Sequence, residues 1–146
     1  MNKTINTLSC FTVSFSKGFK SPNVPLATFY QGEKELIFLL DTGSEYNVTT
    51  KKTLDRIEHT ILNNGDNTHT LSGVGGTEEV SNCTISFSCG SESYSVDFLV
   101  SNSIDAAVEM IRQEHGITID GILGSLFLKE HNVVMDFNNL VAYSKK

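Results

Sequence analysis

The sequence lacks the apolar length that a membrane helix needs. No segment approaches the roughly 18 consecutive apolar residues of such a span. The opening MNKTINTLSC carries a charge with no apolar stretch behind it, so it does not read as a signal peptide. The expectation is a cytoplasmic chain with no membrane partner. Grouped cations are lacking too: 11 Lys and Arg are scattered among 17 Asp and Glu, for a net charge of −6 and a pI near 5.1. That argues against nucleic acid as a partner, because phosphate binding needs clustered Lys and Arg. Cysteine is scarce and odd in number. Cys10, Cys83 and Cys89 include no CxxC, so neither a disulfide framework nor a zinc site is indicated. Cys83 and Cys89 fall on one face of a strand-like run, too far apart to bridge, and read as small buried side chains. His59, His69, His115 and His131 form no HExxH or other paired motif. There is no G-x-S-x-G elbow and no Gly-Lys-Ser/Thr phosphate loop. No metal site and no cofactor are expected.

What is present is an ordinary globular composition. The 146 residues are 39% hydrophobic and 19% charged, enough for one self-supporting core. Residues 1–7 read as a flexible N-terminus and residues 8–146 as a single domain. The dominant period is two. Phe11, Val13 and Phe15 alternate with polar residues, as do Cys83, Ile85, Phe87 and Cys89, and Tyr94, Val96, Phe98 and Val100. Such alternation marks half-buried strands. Residues 24–30, 36–40, 133–137 and 140–143 are also strand-like. Ser103 can cap a helix over 104–114, with Gly116 just past its end. Residues 124–130 suggest a second short helix before His131-Asn132 turns the chain, and 51–58 a third turn or helix. There is no internal repeat. Asn47-Val48-Thr49 and Asn82-Cys83-Thr84 match the glycosylation pattern, and read as chance in a chain that is not secreted.

Three segments carry chemistry. In the first, Leu36-Ile37-Phe38-Leu39-Leu40 runs straight into Asp41-Thr42-Gly43-Ser44. A buried strand thus delivers a carboxylate to its own end. The Thr42 hydroxyl can bond neighbouring backbone, and Gly43 allows a tight turn beside the acid. A carboxylate at the mouth of an apolar core is costly unless it is used or paired. Asp-Thr-Gly alone arises by chance in roughly 3% of chains this long, and an ordinary strand-ending turn would look the same. The second segment is Asp120-Gly121-Ile122-Leu123-Gly124-Ser125. Gly124 permits close backbone approach, so the Ile122-Leu123 strand can pass beside the Asp41 turn; alone, it could be any buried strand feeding a helix. The third is Leu71-Ser72-Gly73-Val74-Gly75-Gly76-Thr77, a glycine-rich hairpin tip that suits either a plain turn or a lid. His69 beside it and Glu78-Glu79 read as solvated.

Taken in order with Val133-Val134-Met135-Asp136-Phe137, these motifs resemble the retropepsin-like aspartic peptidases, in particular the bacterial single-domain members, over roughly residues 24–144. The resemblance implies a mostly β fold: a closed, barrel-like retropepsin (acid protease) fold with one or two short helices. It implies an aspartic endopeptidase with Asp41 as the catalytic aspartate. Thr42 would hold two active-site turns together across a dimer, with Gly43 and Ser44 completing the turn. Gly73, Val74, Gly75 and Gly76 would form the flap that closes on substrate. Ile122, Leu123 and Gly124 would support the catalytic loop. The sequence departs from the retroviral pattern at Ser44, where Ala is usual, and at Glu45, where Asp is usual. No Arg follows Gly124, so the usual Arg–Asp pair behind the site is missing, and the helix over 104–114 is an addition.

This chemistry needs two carboxylates, and the chain has one Asp-Thr-Gly. Asp120-Gly121 is not a second copy of the motif, and Asp136 reads as structural. A homodimer would supply the other acid through a two-fold axis, acting on a peptide or protein substrate, with terminal strand 140–143 expected at the interface. The alternatives are a retropepsin-fold module that binds peptide or dimerises with little or no hydrolysis, and an unrelated β-barrel.

Overall fold

The computed structural model describes residues 12–20, 23–62, 68–73 and 76–144, with backbone alone at 20, 68–73 and 76–79. The first half of the chain gives β1 (Thr12–Ser14), α1 (Ser16–Lys20), β2 (Leu26–Gln31), β3 (Lys34–Leu40), β4 (Val48–Thr49), α2 (Lys51–Leu54), β5 (Thr60–Leu62) and β6 (Thr68–Gly73). The second half gives β7 (Gly76–Cys89), β8 (Glu92–Val100), α3 (Asp105–His115), β9 (Gly121–Leu123), α4 (Ser125–Glu130), β10 (Val133–Asp136) and β11 (Val141–Ser144). The fold is mostly β, as the alternation predicts. No helix among the described residues is long and apolar enough to cross a membrane.

Period-two burial closes the main sheet on itself. The strands follow the order β2-β3-β9-β4-β8-β7, and a return pairing of Tyr30 with Ser88 joins β7 to β2, making a closed six-stranded barrel. One face of each long strand points inward: Leu36, Phe38 and Leu40 on β3, Cys83, Ile85 and Phe87 on β7, and Val96, Phe98 and Val100 on β8 are all buried. Aromatic rings fill the middle. Phe38 stacks on Phe98 with centroids 5.4 Å apart and meets Phe29 at 5.8 Å and Phe87 at 5.1 Å. Beside the barrel lies a small sheet in the order β1-β11-β10. There β11 is the central strand, with both edges already paired inside the chain. The expected interface strand thus lies at the centre of this small sheet, and among the described residues the sheet's outer strands are β1 and β10.

Several local expectations change. The helix expected over 104–114 is α3, and Gly116 ends it in the left-handed region (φ 72) with its N–H on Arg112 O. Ser103 does not cap it. Its hydroxyl accepts from Ser101 Oγ instead, and Ile104 sits at the cap with no side-chain bond. α2 is only one turn, started by Thr50, whose Oγ1 accepts from Thr53 N at 3.1 Å. The Asn132 turn is real, with φ 52. Cys10 lies outside the described residues, and Cys83 and Cys89 are both free.

Two outcomes follow from this core. Phe38→Ala should cost about 3–5 kcal/mol of stability in urea unfolding, the range for emptying a buried aromatic site. Burial, and then the nearby Asp97, push the Cys83 thiol up to about 12. At pH 8 it should resist a thiol reagent until the chain unfolds, as mapped by mass spectrometry. Rapid native-state labelling at Cys83 would contradict its place inside the barrel.

Candidate active site

The acid of interest stands where two short buried strands run side by side. β3 and β9 pair in parallel, Phe38 with Gly121, Leu39 with Ile122 and Leu40 with Leu123. The next residue on β3 is Asp41, whose N–H donates to Leu123 O at 3.1 Å. The strand thus ends in a fixed carboxylate, as its sequence suggests. The chain then turns back, with Ser44 N on Asp41 O at 3.1 Å, while Gly43 N donates to Asp41 Oδ1 at 2.8 Å. Asp41 Oδ2 has no hydrogen bond among the described residues. Gly43 does not take a left-handed φ. What favours glycine there is space, since a Cβ would lie 3.2 Å from Asp41 Oδ1.

Residues after the turn lock onto the start of α4. Ser125 N donates to Ser44 O at 2.7 Å and Leu126 N to Glu45 O at 3.1 Å. The approach is so close that a Cβ on Gly124 would sit 2.4 Å from Tyr46 O and 2.5 Å from Ser44 O. Ser44 Oγ donates to Tyr46 O at 2.7 Å, holding the turn from within. Thus Ile122, Leu123 and Gly124 do lie against the Asp41 turn.

Asn47 completes this junction and was not singled out by sequence except as a glycosylation match. It is buried, its Oδ1 accepts from Gly124 N at 2.9 Å, and its Nδ2 donates to Asp97 O at 3.2 Å. A side chain so enclosed is no acceptor for a sugar. A second missed pair is Arg56 with Asp120. The position after Gly124 holds Ser125, as the sequence shows, yet an Arg–Asp ion pair is present elsewhere, between residues far apart in the chain.

Other candidates fall into place around this centre. Thr42 is exposed, and among the described residues its hydroxyl has no partner; the neighbouring backbone that sequence suggested does not receive it. Tyr46 and Leu126 flank the turn at 42% and 52% exposure, two of the six large apolar side chains exposed among the described residues. The glycine-rich segment is a hairpin in which Gly73 pairs with Gly76; Val74 and Gly75 lie outside the described residues. β8 ends at Val100, opposite Ser81, so beyond that point the hairpin is a two-stranded ribbon of β6 and β7. Asp136 is structural. Its carboxylate accepts from Asn139 Nδ2 and from the backbone N–H groups of Asn138 and Asn139, which hold it below the usual carboxylate range. That support for the β10–β11 turn is present above the unfolded carboxyl's range and is lost as pH falls through the folded value. His131 packs against the rings of Phe127 and Tyr94.

A family model described as aspartyl protease matches residues 27–127, from β2 into α4 and including the Asp41 turn. No curated protein matches the chain.

The packing at Gly124 makes a sharp prediction. Gly124→Ala should destabilise the protein by about 3 kcal/mol, the upper end for overpacking, because the backbone carbonyls of Ser44 and Tyr46 cannot yield as side chains do. Asn47→Ala should cost about 1–3 kcal/mol by stranding the buried Gly124 N–H. Urea midpoints would check both.

Proposed function

The chain belongs to the retropepsin-like aspartyl protease family, and from that premise we propose that it is an endopeptidase working as a homodimer, each copy lending Asp41 to one shared cleft. The observation that carries this reading is the Asp41 turn itself. A carboxylate is fixed by backbone at the end of a buried strand pair, and among the described residues one of its oxygens and the Thr42 hydroxyl beside it have no partner. The turn has half of what the chemistry requires. A second copy related by a two-fold axis supplies the other half, with Thr42 from each copy bonding across the axis and Tyr46 and Leu126 covered by the contact.

The proposed reaction uses water and two acids. Two facing carboxylates cannot both ionise, so the pair holds one proton, the established behaviour of aspartic proteases as a class. The ionised Asp41 takes a proton from the water, whose oxygen bonds to the peptide carbonyl carbon. The protonated Asp41 gives its proton to the carbonyl oxygen. The tetrahedral intermediate then loses the C–N bond as the amine nitrogen gains a proton, and a free acid and amine leave. Substrate would lie extended between the Asp41 pair and the β6–β7 ribbon, whose backbone around Gly73, Val74, Gly75 and Gly76 would pair with it as a flap. Ser44 and Gly43 shape the turn below it.

The test is cleavage of a mixed peptide library from acid to neutral pH, with oligomeric state followed by light scattering. Wild type should cut peptides as a dimer, and Asp41→Asn should lower the rate by a hundredfold or more, since general acid–base transfer contributes about 10²–10⁴. Thr42→Ala should shift the dimer toward monomer and lower activity at low protein concentration, with activity recovering as concentration rises. A stable dimer that binds peptides and cuts none would point instead to a binding module. A strict monomer would remove the mechanism.

A further inference from the structure

Asp120 is a buried charge that peptide cleavage does not use. Its side chain is 3% exposed, and a carboxylate so enclosed is costly unless each oxygen is matched. Both are. Arg56 Nη2 pairs with Oδ1, and Ile37 N donates to Oδ2 at 2.8 Å. The backbone of the same residue is used equally fully. Asp120 N donates to Ile37 O at 2.7 Å, and Asp120 O accepts from Thr49 Oγ1 at 2.8 Å. One residue therefore ties together β3, β4 and the turn after α2.

Its place in the chain gives these bonds a purpose. Asp120 immediately precedes β9, and the last residue of β9 is Leu123, whose carbonyl holds the Asp41 amide. The β3–β9 ladder has only three residue pairs. Parallel pairs gain slightly less per residue than antiparallel ones, and a slip by one residue would turn every side chain to the opposite face. A ladder this short gains from a further hold on its register, beside the burial of its inner face and the pairing of β9 with β4 on its other edge. The Asp120 side chain supplies that hold by gripping Ile37 from the side while its backbone grips the same residue in line.

We propose that Arg56 and Asp120 are a positioning pair for Asp41: Arg56 neutralises Asp120 so that it can clamp Ile37, and the clamp sets the register that places the Asp41 turn. The pair never touches substrate. Its catalytic meaning rests on the peptidase reading above, while its effect on register does not. Arg56 is the member open to solvent. Its side chain is 46% exposed and borders a pocket of about 550 Å³ together with Lys52, Glu109, Arg112 and Ile119. It can thus be replaced without emptying the core.

The experiment compares wild type, Arg56→Met and Arg56→Lys by site-resolved amide hydrogen exchange, alongside kcat and KM for a peptide that wild type cleaves. In Arg56→Met, exchange at Ile37 and Asp41 should speed up by about tenfold or more relative to Ile85 and Phe98 in the β7–β8 part of the barrel. The value of kcat should fall about tenfold or more with KM within about twofold, as expected when reacting groups are slightly misplaced. Arg56→Lys should restore most of both. Equal acceleration at all four amides would show a merely structural ion pair and overturn the proposal, as would no change at Ile37 and Asp41. A selective change in exchange with kcat intact would also overturn the positioning role. If wild type cleaves nothing, the peptidase reading fails, and the exchange comparison still decides whether the pair sets the register.

Discussion

Two buried stretches that lie side by side and point the same way, 38–40 and 121–123, constrain everything else in this molecule. Parallel strands cannot be joined by a tight turn. The chain must leave the first, travel, and return to begin the second from the same end. Most of the barrel is that journey: β4, the long β7–β8 hairpin and α3 all lie between Leu40 and Gly121. The same geometry demands a small residue where β4 enters beside β9. A Cβ on Gly121 would sit 2.6 Å from Val48 O. What looks like a sequence of separate strands is the path required to bring one carboxylate and its supporting carbonyl together.

The polar groups near that contact divide sharply into satisfied and unsatisfied. The buried ones are matched: Asn47 to Gly124 and Asp97, Thr49 to Asp120, Thr50 to Thr53, and Asp120 to Ile37 and Arg56. Such closure is what a low-dielectric interior demands. On the outer side of the turn the pattern reverses. Among the described residues Thr42 has no side-chain partner, and Tyr46 and Leu126 are exposed. The matched interior and the exposed outer surface of the turn are the contrast that the homodimer proposal builds on.

Much of this was legible beforehand, for a clear reason. Long strands that bury one face must alternate, so the Cys83–Phe87 and Val96–Val100 alternations announced β7 and β8 directly. The Asp41 turn and the passage of Ile122-Leu123 beside it were readable because the two motifs, each ambiguous alone, occur together and in order. The missing pieces share a different character. β4 and β5 have two and three residues, too few to display any period. Ser103 is a good capping residue on paper, but Ser101 engages it first. Arg56 and Asp120 are separated by much of the barrel, and no local pattern links them. Asn47 carries a sequon that hid its work as a buried clamp. For Arg56 and for Asn47 the deciding partner is distant in the chain, where local reading has no access; at Ser103 the competitor is a neighbour, Ser101, that offers the same chemistry.

The fourteen-residue β7 is held in two different ways along its length. From Ser81 to Cys89 it is a stave of the barrel, paired with β8. From Gly76 to Val80 it has β6 beside it and no β8. Mechanically this is a cantilever whose built-in end is Ser81 and whose free arm carries the glycine-rich tip. The length of β8 is therefore the quantity that sets the arm's reach and compliance. Lengthening β8 by one pair would shorten and stiffen the arm without altering a residue of its tip.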